Sequence, residues 1–283
     1  MSISAVIIGA TIVITIVNGK GGSGKTPTAV QLAFALARAG YKVLIADLDQ
    51  QGSASFHFSG FKFRLQQPTI YNALKDLVYI EPLPILPNLF LLPAHDELSG
   101  LEIDLPNKKG LFWQGRFSDL LNLYPGFDFV ICDTPGSSVS IFPVMSLTSA
   151  DLAIVPTKTE IIYVAGTQDT LNLIEDVIGT PDQQRPLNRS LKLWGILPNQ
   201  FEMNVGSHND AVRLLKHLYG KKGIYIYPQP SRKTTLYNEA SERHTDIRET
   251  DPVKGPILGA YWDAIAADII QRSVAIVQER KRV

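Results

Sequence analysis

Residues 11–40 read "TIVITIVNGKGGSGKTPTAVQLAFALARAG". Thr11 to Val17 is an unbroken apolar, largely β-branched run, the pattern of a strand covered on both faces. From Thr28 onward the apolar residues fall at helical spacing (Val30, Phe34, Leu36–Ala37), and Gly40 supplies a C-terminal cap. Between strand and helix, Gly19 to Thr26 fits G-x-x-x-x-G-K-[ST]. Glycines in such a loop let backbone N–H groups turn inward around phosphate oxygens, and the following helix adds its positive end. Gly19, Lys20, Gly21, Gly22, Ser23, Gly24, Lys25 and Thr26 are therefore expected to bind a nucleotide. Lys25 would reach the β- and γ-phosphates, and the Thr26 hydroxyl would ligate Mg2+. The pattern needs one lysine, and this loop has two. On the loop alone, Lys20 is either a solvated side chain or a second cation with work at the phosphates.

Outward from the loop, short branched runs alternate with longer helical patterns. Strands are expected at Thr11–Val17, Val43–Asp47, Leu89–Leu92, Phe129–Asp133, Leu152–Val155, Leu191–Leu197 and Ile224–Tyr227. Helices are expected around Thr69–Leu77, Leu111–Leu123, Val164–Val177, Ser207–Tyr219 and Pro256–Glu279. That alternation predicts an α/β fold, one doubly wound, mostly parallel sheet flanked by helices. The expected organisation is a single domain over residues 1–283, with an apolar extension at 1–10 and a C-terminal helix over 256–283 packed on the core. The proline-rich stretches Glu81–Pro87 and Ile226–Pro230 read as connections.

Composition narrows the class. The chain has 283 residues, 45% of them hydrophobic and 19% charged, with a formal net charge of zero. Those values suit a folded protein of ordinary core size, and attraction to nucleic acid must come from a local patch. Cys132 is the single cysteine, which excludes an internal disulfide framework and any cluster needing several thiolates. The apolar start, "MSISAVIIGATIVITIV", lacks the basic beginning and small-residue cleavage site of a signal peptide, and it reads as a buried strand with a short extension. The five histidines show no metal-ligand spacing. The terminal helix carries an apolar stripe at Trp262, Ile265, Ile269 and Ile276, which favours packing over membrane binding.

"KGGSGKT" resembles the deviant Walker A box of the ParA/MinD superfamily, K-G-G-x-G-K-[ST]. The resemblance implies ATP and Mg2+ as ligands, and a homodimer on ATP binding in which Lys20 crosses the interface to the partner's phosphates. It makes Lys20, Lys25 and Asp49 the catalytic candidates. "VLIADLDQQGSAS" (43–55) resembles the superfamily's D-x-D-P-Q-G motif. Asp49 would hold the attacking water and Asp47 would stand behind the metal. "FDFVICDTPGS" (127–137) supplies Asp133, which would hold magnesium through water, and Gly136, whose N–H would meet the γ-phosphate. "GILPNQF" (195–201) matches the segment that recognises the base, so Asn199 and Pro228, in the turn Tyr227–Pro230, are further nucleotide-binding candidates. Lys158 and Glu160, in "ADLAIVPTKTE" (150–160), read as solvated surface or as part of the dimer face. Pro27 and Gln50 depart from the motifs. Pro27 removes a hydroxyl and an N–H at the loop's end, with Thr28 as a substitute at the α-phosphate. Gln50 leaves the first switch looser. Neither departure removes a charged participant.

Within the superfamily, the absence of paired thiols and of a terminal amphipathic segment leaves the partition branch. That branch implies non-specific DNA binding, a ParB-like or other adaptor that stimulates hydrolysis, no membrane, and a cytoplasmic, nucleoid-associated location. Basic residues concentrate in the last third. Arg213 and Lys216 share a helix face, and Arg232 and Lys233 lie in "PSRKTTLYNEASE" (230–242), so these four are the DNA-contact candidates. The alternative is a nucleotide-gated regulatory or scaffold protein of the MinD type, whose assembly recruits a protein partner without functional DNA binding.

Overall fold

The computed structural model describes residues 10–60, 67–137 and 139–281; the extension expected at 1–10 lies almost wholly outside them. In chain order the elements are β1 (Ile12–Ile16), α1 (Lys25–Arg38), β2 (Val43–Asp47), α2 (Ser53–Ser59), α3 (Ile70–Asp76), β3 (Leu83–Leu86), β4 (Leu89–Leu92), α4 (Leu98–Asn107) and α5 (Arg116–Leu121). They continue with β5 (Phe129–Asp133), α6 (Ile141–Ser149), β6 (Leu152–Lys158), α7 (Ile161–Ile178), β7 (Lys192–Asn199), α8 (Gly206–Leu218), α9 (Leu236–Glu242) and α10 (Lys254–Arg280).

The strands form one sheet in the order β3-β4-β2-β5-β1-β6-β7. Every pairing is parallel except β3 with β4. Strand alternation divides the core into two layers. Ile12, Ile14 and Ile16 of β1 pack with α1, α2, α9 and α10, while Val13 and Val17 face the layer built from α3 to α8. Trp262, Ile265, Ile269 and Ile276 are buried, so the stripe on α10 is its inner face. Burying each such side chain stabilises the fold by roughly 1.5–3 kcal/mol. β1 lies between β5 and β6, strands formed far later in the chain. Its carboxyl end is thus where the winding reverses, and a crevice opens there.

Three expectations are corrected. Glu81–Pro87 is not a plain connection: Leu83–Leu86 forms the edge strand β3, and Pro84 is tolerated there because an edge strand leaves one row of N–H positions unpaired. Ile224–Tyr227 is not a strand; Ile226 makes a single bridge to Ile196, held by bonds from Ile196 N to Tyr225 O and from Tyr227 N to Ile196 O, each 2.9 Å. The helix expected over Leu111–Leu123 is a 3-10 turn, Trp113–Gly115, followed by α5. Helices α2, α4, α6 and α9 were not expected; α2 and α9 have seven residues each, too few for the helical period to show. Among the described residues, no helix is long and apolar enough to cross a membrane.

Candidate nucleotide site

The crevice at the end of β1 holds a cavity of about 600 Å³. Its floor is the loop from Gly21 to Thr26, and its walls come from Asp49–Gln51, Ser53 and Pro135–Ser137. The loop takes its shape from two glycines with positive φ, Gly22 (70°) and Gly24 (96°). A side chain at Gly24 would also run into the Asn199 amide. Upstream, Asn18 fixes the turn: its amide donates to the Pro156 carbonyl at 2.9 Å, and its side-chain oxygen accepts the Lys20 N–H at 2.9 Å.

Lys25 is buried on the first turn of α1, and its amine donates to the carbonyls of Asn18 (3.0 Å) and Lys20 (3.3 Å). Burial pulls its pKa down, while Asp133 and Asp49 pull it up. Gly136, after β5, packs closely against the loop. A Cβ placed on Gly136 would lie 2.9 Å from both the Lys25 amine and the Gly21 Cα, so this position tolerates only glycine while the loop keeps its place.

Asp133 ends β5 fully buried, and neither carboxylate oxygen has a protein donor at hydrogen-bond geometry. Burial, with Asp47 beside it, pushes its pKa well above the usual carboxylate range; the neighbouring Thr26 hydroxyl and the Lys25 charge offset only part of this. A naked buried carboxyl next to a hydroxyl at the mouth of a phosphate-shaped loop fits a divalent cation held through Thr26 and water. Asp47 sits beside it on β2, also buried, but with its donors supplied: Ser55 N at 2.8 Å, Ser55 Oγ at 2.7 Å and Asp49 N at 3.2 Å. Burial still raises its pKa to about 6. Asp49 is half-buried on the cavity wall and accepts the Gln51 N–H at 2.9 Å.

Several expected residues are not brought to the cavity wall. Lys20 is exposed and absent from the lining of its own chain's cavity; its stem lies against Gly166 of α7. Gly19 is held by its N–H, which donates to the Thr170 hydroxyl at 3.1 Å. The Thr28 hydroxyl is committed to the Gly24 carbonyl at 2.7 Å. Asn199, expected at the base, is buried and donates to the Ser23 carbonyl; it braces the loop from beneath. Pro228 is exposed and lines nothing in the cavity. The neighbouring Gln200, with φ 54°, takes the place expected of Asn199 on the cavity wall.

Beyond the phosphate loop the cavity runs along α1 to Gln31, His57 and the α9 residues Tyr237, Asn238 and Ser241. Sequence reasoning missed this end. The segment 230–242 stood out for its basic residues, whereas its contribution to the cavity comes from the uncharged residues that follow them. His57 is buried beside this groove with Nε2 2.9 Å from the Thr245 carbonyl, and burial lowers its pKa to about 4. It stays neutral there and donates to that carbonyl. Cys132 is buried, with its thiol pushed up to about 12, and acts as packing. No cluster of three or more metal-ligating side chains occurs among the described residues.

Known proteins share this architecture. Residues 11–192 match the AAA domain family AAA_31. The chain is 28% identical over 250 residues to the chromosome partitioning protein ParA of Caulobacter vibrioides, covering 87% of this chain and 86% of the relative. Cobyrinic acid a,c-diamide synthase from Mycobacterium smegmatis, solved with an ATP analogue and magnesium, is 28% identical, with a TM-score of 0.68 over 82% of this chain and 91% of that one. An ATP complex of a Cyanothece McdA variant gives a TM-score of 0.78 at 20% identity, covering 94% of this chain and 97% of that one. The last of these bears on fold alone.

Proposed function

Because this chain belongs to the AAA domain family over residues 11–192, and within it to the ParA/MinD superfamily as a ParA-like member, we propose that it is an ATPase that dimerises on binding ATP and Mg2+. In that form it binds DNA without sequence preference and positions a cargo, and an adaptor of the ParB kind speeds a slow intrinsic hydrolysis. The observation that carries the reading is the convergence of Lys25, Thr26, Asp49 and Gly136 on one cavity, with the donorless Asp133 buried behind its lining beside Thr26 and Lys25.

The chemistry follows from those positions. Incoming phosphates would draw the Lys25 amine off the Asn18 and Lys20 carbonyls, and the Gly22 to Lys25 N–H groups would take up the oxygens. Asp133 and Thr26 would hold Mg2+. When bound, the cation supplies charge neutralisation at the developing phosphoryl transition state. Asp49 would orient the attacking water, which needs position more than basicity. Lys20, exposed outside its own chain's cavity, is free to serve a neighbour's. Val139 and Met203 are exposed in the loops following β5 and β7, and Ile161 and Ile162 on the first turn of α7 after β6, the same rim of the sheet. An apolar rim around a polar mouth suits a face that meets a second copy.

For DNA, Arg213 and Lys216 are exposed on α8, with Arg232 and Lys233 exposed nearby in sequence to α9. A second reading, ATP-gated assembly of the MinD kind without functional DNA binding, draws on the pairing of Arg213 with Asp210 (3.3 Å) and Lys233 with Glu202 (2.9 Å). Exposed pairs are worth little and phosphate can displace them, so we favour the first. A mobility-shift assay with random-sequence duplex separates the two. ATP-dependent, salt-sensitive retention is expected, and its absence would leave the second reading standing. In the same preparations Lys20→Ala should retain nucleotide but lose dimerisation and turnover; unchanged turnover would overturn the role in trans.

A further inference from the structure

One side of α7 lies along the outer limb of the phosphate loop. Tyr163, Gly166, Thr167 and Thr170 recur at the three-and-four spacing of a single helix face. Thr170 accepts the Gly19 N–H at 3.1 Å. The Thr167 hydroxyl lies 3.1 Å from that of Thr157, which in turn accepts from Asn18 at 3.4 Å. Gly166 leaves the notch occupied by the Lys20 stem. Tyr163 closes the series: its hydroxyl donates to the Gly21 carbonyl at 3.1 Å. The Lys158 amine rests 4.8 Å from the centre of the Tyr163 ring, beside Gly22.

Gly21 is the weak point of the cradle. It is exposed, has no side chain to anchor it, and touches the second switch at Gly136. Were its peptide to flip, a carbonyl oxygen would face the phosphates in place of an N–H, and like partial charges would meet. The Tyr163 hydroxyl holds that carbonyl, and Tyr163 itself is not among the residues that line the cavity. Lys25 is different: its loop bonds must break when phosphate arrives, whereas the Tyr163 bond can stay.

We propose that Tyr163, steadied by the Lys158 charge on its ring, is a positioning residue that fixes the Gly21 peptide and pre-organises the loop for a nucleoside di- or triphosphate. This rests on the reading of the cavity as an ATP site. Pre-organisation raises affinity by removing the cost of ordering the loop on binding. A cation on a tyrosine face is held electrostatically and limits the ring's motion.

The test is nucleotide binding by the full chain, measured by calorimetry. Y163F deletes one hydroxyl and keeps the ring. It should weaken ATP and ADP alike by about 5–10-fold, the size of one such hydrogen bond, with the loss falling on KM and not on kcat. The melting temperature without nucleotide should not move. K158A should weaken binding roughly 2–3-fold in the wild-type background and not at all in Y163L, because its effect passes through the ring. Unchanged affinity in Y163F, or equal K158A effects in both backgrounds, would overturn the latch while leaving the ATPase reading intact. Wild-type protein that fails to bind ATP would instead overturn the reading of the cavity itself.

Discussion

The ends of β2 and β5 carry the same residue in the same register, at the same depth, with opposite surroundings. Asp47 and Asp133 face each other across the parallel pair, and both are fully buried. Asp47 has three protein donors, while Asp133 has none at hydrogen-bond geometry. The cause is local. Helix α2 begins after Gly52, which offers no side-chain cap, so Asp47 reaches across and takes the Ser55 N–H in its place. The loop after β5 runs through Pro135 to Gly136, whose small size lets it rest on the phosphate loop instead of turning donors back toward Asp133. On the function proposed above, one of two identical carboxyls anchors the first switch and the other is held for a ligand.

The largest effect should come from removing the donorless member. Asp133→Asn is expected to lower Mg2+-dependent ATP turnover by about 10³-fold, the several kcal/mol of charge stabilisation that a correctly held metal supplies. In chelator, without nucleotide, the same variant should melt no lower than wild type, because it removes a buried ionisable group that has no hydrogen-bond donor and whose burial the Lys25 charge offsets only in part. Ordinary turnover, or a clear fall in melting temperature, would mean that Asp133 is structural and that the contrast with Asp47 is false.

The next effect is a pH dependence of the metal-free, nucleotide-free protein. The folded state raises the Asp47 pKa from 3.8 to about 6, mainly through burial. Between those values the folded protein holds more proton than the unfolded chain. Stability from this group is therefore full below about pH 4 and falls as pH rises through 6, by on the order of 3 kcal/mol. His57, lowered to about 4 by burial, slopes the other way over nearly the same range. The informative quantity is thus the difference between wild type and Asp47→Asn in denaturant unfolding at pH 4.5 and 7. Wild type should lose stability relative to the variant as pH rises; parallel curves would show that the Ser55 donors already compensate Asp47 in full.

How much of this was legible from residues alone follows from range. The phosphate loop is local backbone geometry, so glycine spacing reveals it, and Asp133 announces itself by ending an apolar run. The Asp47 role depends on Ser55, eight positions on, in a helix of seven residues too short to show a period. Asn199 occupied the expected place in the chain, but it is buried under the loop with its Nδ2 donating to Ser23, a partner 176 residues away. The α9 end of the cavity is likewise non-local: Tyr237, Asn238 and Ser241 meet Gln31 and His57 only because α9 and α2 pack in one layer. Edge strand β3 was hidden by Pro84 for the opposite reason, a local signal against a strand that the sheet's margin can ignore.

The smallest effect isolates the anchor. The Ser55 hydroxyl both donates to Asp47 at 2.7 Å and accepts the Ala94 N–H at 2.8 Å, tying the start of α2 to the segment after β4. Ser55→Ala removes the donor and strands a buried N–H, so it should cost about 1–3 kcal/mol of unfolding free energy. Because Asp47 keeps the backbone donor of residue 55, the variant should fold, and its effect on turnover should be small beside that of Asp133→Asn. Stability measured by urea unfolding at pH 7 checks the first point, and steady-state turnover at saturating ATP and Mg2+ checks the second. A variant as stable as wild type would show that water replaces the hydroxyl and that α2 is anchored by its backbone alone. Turnover as low as that of Asp133→Asn would place Asp47 in the chemistry, and the two strand ends would then differ in partners but not in purpose.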